Sequence, residues 1–478
     1  MGYKIGTDKK QLSLLPASLD EYVREDHICR VISAFTGQLE MGLLGFKYAE
    51  CKKTGCRPYD PKTMLNLYLY GYLHRVRSSR RLRDETRRNV EVMWLMEGLY
   101  PDDKTISNFR KDNAKALRKM FGVFTRLCRK LGLYGEELEA TDGSKFRANN
   151  SLKNHHNGTV VGNELGRIDK KVNEYLAALE RADQEEGGRK EPGSGEIRAA
   201  LEMLKQRRVD FEELSAQVEA EGELSTVDRE SRLMHSGGDS RPLNVGYNVQ
   251  TVVDGKYHMI VDFEVTNKSG DNGELHKMSM KAKEVLEIEE ITNLADRGYY
   301  NGEDISACER DGVTCLVAKS ETGPKKAEGF AHKDFMYDKE KDVYVCPCHK
   351  ELRYMRNHMG SRGKERKVYA NYEACPDCLK KAECTAYRYR EIMRLVTQDT
   401  LDIVDERTRE NKELYRRRSE IVEHVFGTVK AVWGYRQYLC RGKEKVTAET
   451  ALAYFAYNMR RAVNIFAESR LSLVEALT

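Results

Sequence analysis

Three acidic residues in this chain have the type and the placement to bind divalent cations together. Asp142 and Asp296 each follow a short apolar run typical of a β-strand, and Glu423 lies in a helical pattern near the C-terminal end. Carboxylates that converge on one point repel one another unless cations bind between them. Such ligands suit Mg²⁺ or Mn²⁺, and two ions about 4 Å apart can bind both the attacking and the leaving oxygen of a phosphodiester displacement. We therefore expect Asp142, Asp296 and Glu423 to form a two-metal catalytic site.

The segment that carries Glu423, residues 415–430, predicts an amphipathic helix. Its apolar residues recur at helical spacing, and they are Ile421, Val422, Val425, Phe426 and Val429. At about 100° per residue a second set falls on the opposite side: Arg416, Glu423, Gly427 and Lys430. Glu423 and Lys430 are nearly eclipsed in such a helix, which suits a ligand that brings both a metal and phosphates. A solvated charged face would have the same pattern.

The elements that must position the acids alternate between strand and helix patterns. They are a strand at 138–146, a hairpin at 245–254 and 258–266, a helix at 274–285, a strand at 290–296, a helix at 303–311 and a strand at 314–319. This order predicts a ribonuclease-H-like α/β catalytic domain with a mixed sheet, on which helix 415–430 packs. One aspartate at a strand end is usually only a turn residue. The combination of two such strands with that helix favours a site.

The N-terminal part, residues 1–130, predicts an all-α DNA-binding domain. Amphipathic segments cover residues 19–35 and 61–73, and caps near Asp102 start a helix that continues to residue 130. Residues 74–88 contain seven Arg against two acids, a density suited to phosphate contacts. The arginines predicted to bind DNA are Arg77, Arg80, Arg81 and Arg83. A solvated basic surface is the alternative.

Two insertions interrupt the predicted catalytic domain, which comprises residues 131–335 and 393–466. Residues 160–235 predict a charged helical hairpin, and residues 336–392 are basic and rich in cysteine. Five of the twelve cysteines fall within 39 residues, and their CxxC spacing is typical of structural Zn²⁺. The predicted ligands are Cys346, Cys375, Cys378 and Cys384, with Cys348 as the spare thiol. Ordinary reduced thiols are the alternative.

Composition restricts the class of protein. Charged residues make up 33% of the chain, hydrophobic residues 40%, and the net charge is +5. No run of 18 apolar residues occurs, and residues 1–10 lack the apolar core of a signal peptide. We therefore expect a cytoplasmic protein with reduced thiols and no membrane partner.

Several short motifs follow one another along the chain. They are Ser79-Arg-Arg-Leu82, residues 101–110, Asp142-Gly-Ser-Lys145, Gly246-Tyr-Asn-Val-Gln250, Ala295-Asp-Arg-Gly-Tyr299, residues 418–430, Arg441-Gly442 and Tyr457-Asn-Met-Arg460. In this combination the chain, from about residue 11 to residue 465, resembles DDE-class transposases of bacterial insertion sequences. The similar group has an N-terminal helical domain and a late Cys-rich insert.

The resemblance implies an enzyme that cuts transposon ends and joins the freed 3′-OH ends to target DNA. It implies Asp142, Asp296 and Glu423 as the metal ligands, and Lys430 with an upstream Tyr/Arg pair as contacts to transposon-end DNA. Tyr415 is the candidate tyrosine. Arg418 best fits the family spacing, because position 419 is Ser, whereas the helical geometry favours Arg416.

The partners implied are double-stranded DNA, both transposon-end inverted repeats and target DNA, and a second copy of the chain in the DNA complex. The location implied is the cytoplasm, in association with the nucleoid. Two alternatives remain. A ribonuclease-H-like nuclease would share the three acids without needing the N-terminal domain, and a non-catalytic transposase-derived protein would only bind DNA.

Overall fold

The N-terminal part of the chain is helical. The computed structural model describes residues 18–50, 57–185, 194–234, 244–319, 329–360, 363–468 and 473–477. Within these residues, a 3₁₀ turn at Leu19–Tyr22 precedes seven helices. They are α1 (Ile28–Gly37), α2 (Met41–Leu44), α3 (Pro61–Leu73), α4 (Ser79–Arg88), α5 (Val90–Leu95), α6 (Asp103–Asp112) and α7 (Ala114–Lys130).

Helix α3 is the centre of this part. It begins where the sequence predicts, since the Asp60 side chain accepts a hydrogen bond from Lys62 N (2.7 Å) and Pro61 occupies the first helical position. Every residue of α3 except Lys62 is buried. A helix that is apolar all round must be covered on all sides, so α3 requires neighbours from elsewhere in the chain.

Two of the predicted helices are each divided in two. The segment 19–35 separates into the 3₁₀ turn and α1, and the helix predicted from Asp102 to residue 130 breaks at Asn113. The Asn113 side chain accepts a hydrogen bond from Lys47 N (2.6 Å) and donates one to Phe109 O (2.8 Å). This buried amide links α2 to the α6–α7 junction, so the chain turns there instead of continuing as one helix.

The next part begins the central sheet and contains the predicted helical hairpin. Its elements are β1 (Leu138–Arg147), β2 (His155–Asn157), α8 (Gly158–Glu185), α9 (Ser194–Glu221), β3 (Glu223–Ser225) and β4 (Arg232–Met234). Helices α8 and α9 pack on each other, and β2 pairs with β3 at their base. The glycines at 187–188 and the Pro-Gly stretch at 192–195, where the sequence predicts the bend, lie almost entirely outside the described residues.

The remaining strands of the central sheet follow in the predicted order. They are β5 (Asn244–Asp254) and β6 (Ile260–Thr266), then α10 (Leu275–Leu286), β7 (Ile291–Ala295), α11 (Gly302–Arg310) and β8 (Val313–Val317). The sheet has the order β4-β5-β1-β7-β8, with β6 also paired to β5. Strand β1 is antiparallel to β5 and parallel to β7, and β7 is parallel to β8. The predicted hairpin and the mixed sheet are therefore confirmed.

The cysteine-rich segment folds as a separate antiparallel sheet. Its elements are β9 (Met336–Asp338), β10 (Val343–Val345), β11 (Glu351–Met359), β12 (Glu365–Ala370), α12 (Lys381–Cys384) and β13 (Glu391–Leu395). The five strands form the order β13-β12-β11-β10-β9. Their small core consists of Phe335, Tyr344, Leu352, Tyr369 and Ile392.

The C-terminal helices connect the central sheet with the N-terminal helices. They are α13 (Gln398–Glu410), α14 (Lys412–Phe426), a π-helical segment (Gly427–Val432), α15 (Lys443–Glu468) and α16 (Leu473–Leu477). Helix α14 packs on β1, β5 and β7, and α15 packs on α3, α7 and β6. Asn458 of α15 donates to Ile260 O (2.7 Å) and accepts from Ile260 N (2.8 Å).

One continuous hydrophobic core includes the N-terminal helices, the central sheet and α15. The packing therefore crosses the boundary predicted at residue 130, and the division into separate folding units stays a prediction. None of the helices that the structure describes has the length and apolarity needed to cross a membrane.

Candidate active site

Asp142 and Asp296 lie on neighbouring parallel strands. In the pairing of β1 with β7, Thr141 stands opposite Ala295, so the two aspartates occupy the next position on each strand. Asp296 follows β7 directly, as predicted. Asp142 does not end its strand, because β5 pairs with β1 from Glu139 as far as Arg147. The strand predicted at 138–146 is therefore confirmed, but the expectation that Asp142 stands at a strand end is wrong, because this aspartate lies in the middle of β1.

The Asp142 carboxylate is held between a backbone amide and a guanidinium. Its Oδ1 accepts from Gly143 N (2.8 Å), and its Oδ2 lies 3.3 Å from Arg418 Nη1. Burial raises the pKa of Asp142 to about 6; Arg418 and the Gly143 amide oppose this shift, while Asp296 and Asp271 add to it. A desolvated carboxyl with two other acids nearby is an environment in which a cation binds favourably.

Asp271 is a third acid at this place, and the sequence reasoning missed it. It lies in the loop between β6 and α10. Burial raises the pKa of Tyr299, and next in importance are the charges of Asp271, Asp142 and Asp296. All three carboxylates therefore lie close enough to the Tyr299 hydroxyl to raise its pKa. A signal was present in β5, where Asn248 and Gln250 put two amides on one face of an otherwise apolar strand.

Glu423 is placed differently from the three aspartates. It lies on α14, which packs beside β1 and β7 as predicted, but its side chain is exposed. Within the described part of the chain this side chain makes no hydrogen bond or ion pair. The space next to Gly427 is also open, with no atom within 4 Å of a Cβ built there. The structure thus places Asp142, Asp296 and Asp271 near one another, although among the described residues no oxygen atoms from all three lie within 4.8 Å of one another, and it leaves Glu423 on the adjacent open helix face.

The other candidates on α14 point in different directions. Arg418 contacts Asp142, whereas the side chain of Arg416 is exposed. Tyr415 donates a hydrogen bond to Ala295 O (3.2 Å), the residue before Asp296. Of the two arginines that the sequence left open, Arg418 is therefore the one that reaches the aspartates.

Lys430 is bound to β1. The α-helix ends at Phe426 and a π-helical segment follows, so the regular geometry that eclipses Glu423 and Lys430 is wrong for this stretch. Lys430 Nζ donates to Ser144 Oγ (3.0 Å) and to Lys145 O (2.8 Å). Burial, with Arg436 and Lys145 nearby, lowers the pKa of Lys430 to about 8.

Two family models match separate parts of the chain. One, described as "Transposase domain (DUF772)", matches residues 17–112, and the other, described as "Transposase DDE domain", matches residues 345–463. The two matches indicate a DDE-class transposase. Neither a curated protein nor a solved structure matches it.

The two matches indicate what this transposase acts on and which kind of cofactor it needs. A transposase acts on DNA, and a DDE domain implies dependence on a divalent metal. The second matched range contains Glu423 and the cysteine cluster, whereas Asp142, Asp271 and Asp296 lie outside both ranges. Support for a role of these three aspartates therefore comes from their positions in the structure and not from the family matches.

The predicted DNA-binding arginines of the transposase fall into two kinds. Arg77 is internal: it donates to Gln437 O (3.0 Å), pairs with Glu449 (3.2 Å) and covers the Tyr435 ring. Arg83 pairs with Asp84 and Asp103. In contrast, Arg80 and Arg81 are exposed: the Arg80 side chain lies 3.8 Å from Asp103 but retains 81% of its accessible surface.

The five cysteines of the smaller sheet line one cavity. They are Cys346, Cys348, Cys375, Cys378 and Cys384. The Sγ atoms of Cys348 and Cys378 are 3.8 Å apart, so the thiol predicted to be spare belongs to a close pair. Among the described residues, no three of these sulfur atoms lie within 4.8 Å of one another.

Among the described residues, the one group that satisfies this distance criterion is His27 with Cys29 and Glu91, in the N-terminal part of the chain. His27 Nε2 lies 3.4 Å from Glu91, whose second oxygen accepts from Tyr70 OH (2.7 Å). Burial raises the pKa of the Cys29 thiol to about 12. This group is explained by internal hydrogen bonds and needs no metal.

Proposed function

We propose that this transposase cuts the ends of a mobile DNA element and joins the freed 3′-OH ends to target DNA, with Asp142, Asp296 and Glu423 as its catalytic acids. The observation that carries the proposal is the placement of Asp142 and Asp296 at the same level of two parallel strands. The helix that bears Glu423 packs against those strands. The mixed strand order and the position of α14 also favour a ribonuclease-H-like catalytic domain.

The donor set fits a hard divalent cation, Mg²⁺ or Mn²⁺. Every acidic donor here is a carboxylate oxygen, and the buried Oδ1 of Asn248 beside them has no hydrogen-bond partner among the described residues. When bound, two such ions would stabilise charge on the attacking and leaving oxygens of the phosphodiester. Asp142 and Asp296 would hold the ions at the sheet, and the exposed Glu423 would complete the site from the DNA side.

The residues around the acids have positioning roles in this proposal. The Tyr415 hydroxyl fixes the backbone before Asp296. Lys430 fixes β1 just beyond Asp142. Arg418 neutralises Asp142 and would turn to a DNA phosphate when a cation takes its place, because guanidinium groups pair well with phosphate oxygens.

The DNA partner is proposed to contact several basic surfaces. Arg80 and Arg81 offer exposed charge on α4, and Arg416 offers it on α14. The hairpin of β11 and β12 is a further candidate, since residues 353–359 are all exposed and a two-stranded ribbon fits the major groove. Arg77 and Arg83 would instead hold α4 in place through their ion pairs. We expect a homodimer on paired inverted repeats, in the cytoplasm and associated with the nucleoid.

A structural Zn²⁺ in the smaller sheet forms a separate part of the proposal. Zinc–sulfur bonds of about 2.3 Å in a tetrahedron separate the sulfur atoms by about 3.8 Å, which is the separation of Cys348 and Cys378. Cys375, Cys378 and Cys384 with Cys346 or Cys348 would bind the ion. The ion would then stabilise the base of the basic ribbon.

Cleavage of a DNA fragment that carries the terminal inverted repeats tests the catalytic proposal. Asp142→Asn, Asp296→Asn and Glu423→Gln should each abolish Mg²⁺-dependent cleavage and leave binding to the ends nearly unchanged. Glu420→Gln is the matched control, because Glu420 is exposed on the same helix. Full cleavage by one of the three variants would remove that residue from the site.

The same assay separates the alternatives. Wild-type protein that binds the ends and does not cut them with Mg²⁺ or Mn²⁺ would be a non-catalytic DNA-binding protein. Protein that cuts without joining the 3′ ends to a target plasmid would be a nuclease.

A further inference from the structure

The carboxylate of Asp271 occupies space that two glycines leave open. A Cβ at Gly143 would overlap Asp271 Oδ1, and a Cβ at Gly298 would lie 3.5 Å from its Oδ2. Gly143 follows Asp142 directly, and Gly298 follows Asp296 by two residues. The absence of side chains at these positions therefore lets the carboxylate of a distant loop approach the backbone next to both aspartates.

One oxygen of Asp271 is fixed and the other is left available. Asn248 Nδ2 and Gln250 Nε2 each donate to Oδ1 at 2.7 Å. Both amides are fully buried, and Tyr299 OH donates to Gln250 Oε1, which fixes that amide in turn. Oδ2 accepts no hydrogen bond from the part of the chain that the structure describes. The two amides thus orient the Asp271 carboxylate through Oδ1, and they leave Oδ2 able to bind a ligand.

A second polar atom at the same place also lacks a partner. Asn248 is completely buried, and its Oδ1 has no hydrogen-bond donor among the described residues. This oxygen lies 3.0 Å from the Cβ position of Gly143, next to the Asp271 carboxylate. An unsatisfied buried oxygen costs about 1–3 kcal/mol, so such an atom indicates a ligand that the protein alone does not supply.

We propose that Asp271 is a ligand of the divalent cation, together with Asp142 and Asp296, and that Asn248 and Gln250 orient it. This inference rests on the proposed function, and it assigns different roles to the aspartates and to Glu423. The three aspartates hold the cation in the DNA-free transposase, whereas the exposed Glu423 engages it when DNA is bound. Cation binding without DNA therefore depends on Asp271 and not on Glu423.

Titration of the full-length, DNA-free protein with Mn²⁺, followed by calorimetry or by electron paramagnetic resonance of the free ion, tests the proposal. Asp271→Asn keeps an oxygen that accepts from both amides and removes only the charge, so its thermal unfolding should match the wild type. We expect Asp271→Asn, Asp142→Asn and Asp296→Asn each to weaken Mn²⁺ binding at least tenfold. Glu423→Gln and the exposed control Glu303→Gln should bind Mn²⁺ as the wild type does.

The outcomes separate this inference from the function on which it rests. Wild-type affinity in Asp271→Asn, with loss in Asp142→Asn and Asp296→Asn, would overturn the role of Asp271 and leave the catalytic proposal intact. Unchanged Mn²⁺ binding in all three aspartate variants would overturn both.

A second measurement needs no variant and covers the case in which Asp271→Asn does not fold. Fe²⁺ bound in place of Mn²⁺, with ascorbate and peroxide, should cleave the backbone near residues 142, 271 and 296. Cleavage near 142 and 296 without cleavage near 271 would overturn the proposal.

Discussion

The two sheets of this transposase hold their candidate functional residues by different means. Strands β5 and β6 of the central sheet are buried along nearly their whole length, and α10, α14 and α15 cover the sheet. In the smaller sheet, the core cluster among the described residues has five side chains, and strand β11 is exposed from Arg353 to Met359. The acids therefore lie on a scaffold fixed by packing, whereas the basic ribbon lies on one with little packing.

This difference predicts how each region responds to mutation. At the central sheet, hydrogen bonds and close contacts with glycine fix the position of the Asp271 carboxylate. One added methyl group at such a glycine would therefore displace it. At the smaller sheet, five cysteines line one cavity, and a metal bound by them would add to the strand pairing and ion pairs that fix the strands. We expect chemistry to fail first in the central sheet, and local folding to fail first in the smaller one.

Gly143→Ala should have the largest effect. The new Cβ would overlap Asp271 Oδ1 and lie 2.6 Å from Gln250 Nε2. We expect cleavage to be abolished, Mn²⁺ binding to fall at least tenfold, and unfolding free energy to fall by about 1–3 kcal/mol. Gly162→Ala on α8, away from the site, is the matched control, because nothing lies within 4 Å of its Cβ. Equal behaviour of the two variants in cleavage and urea unfolding would show that the central site tolerates displacement.

Cys375→Ser combined with Cys378→Ser should have the next largest effect, confined to the smaller sheet. Thiolate–zinc ligation contributes roughly 10 kcal/mol in zinc-finger peptides, far more than five core residues can replace. We expect metal analysis to change from about one zinc per chain to none, and protease to cut within residues 336–392. Cys440→Ser, outside this sheet, is the control. Active wild-type protein without zinc would leave the cluster as ordinary thiols.

Arg80→Ala with Arg81→Ala should weaken DNA binding while leaving the fold unchanged, since both side chains are exposed. The slope of log affinity against log salt should fall by about 0.9 for each DNA phosphate that the variant no longer neutralises. The pair Arg353→Ala with Lys364→Ala makes the same change on the ribbon of the smaller sheet. Gel-shift titrations at several salt concentrations then show which region supplies the charge. Unchanged slopes in both pairs would mean that these are only solvated surfaces.

The smallest expected effect is on acid stability. Burial raises the pKa of Glu264, but hydrogen bonds from Lys277 and Lys281 outweigh it and lower the pKa to about 2. Because this folded-state pKa is below the unfolded value, the ion pairs stabilise the protein above about pH 4.5, and that stability is lost as the pH falls towards 2. After allowance for solvent screening, we expect Glu264→Gln to remove about 1–2 kcal/mol at pH 6.

Asp342, in the smaller sheet, allows the same measurement to be compared between the two sheets. Burial raises the pKa of Asp342, but Tyr369, Tyr337 and Lys367 outweigh it and lower the pKa. Urea unfolding of Glu264→Gln and of Asp342→Asn at pH 6 and pH 3 compares the two regions. We expect the Glu264 variant to lose more stability. A larger loss in the Asp342 variant would contradict the expectation that the central sheet is the more firmly packed of the two.

Local signals made much of the architecture predictable. Asp60 followed by Pro61 fixes the start of α3, and the β5–β6 hairpin follows from a short polar turn between apolar runs. The adjacency of Asp142 and Asp296 followed from the order of strands and helices. These features depend on residues close together in the sequence, or on general rules of sheet topology.

The features that escaped prediction depend on contacts between distant residues. The break at Asn113 requires a hydrogen bond from Lys47, and the position of Asp142 in the middle of β1, instead of at a strand end, requires the pairing with β5. Asp271 becomes recognisable only when the amides of β5 reach it. The burial of Arg77 requires Glu449, 372 residues later in the chain. Periodicity and spacing contain no information about such contacts.

The hydrogen bond between Tyr435 and α3 has a consequence for how the protein is made. Tyr435 OH donates to Tyr72 O across 363 residues of sequence, and α15 covers α3 and α7. At a synthesis rate of about 5–20 residues per second, these early helices wait on the order of 20–70 s for their covering helix. During that time their apolar side is exposed to chaperones and proteases, so a message that ends early should yield degraded fragments instead of a free DNA-binding domain.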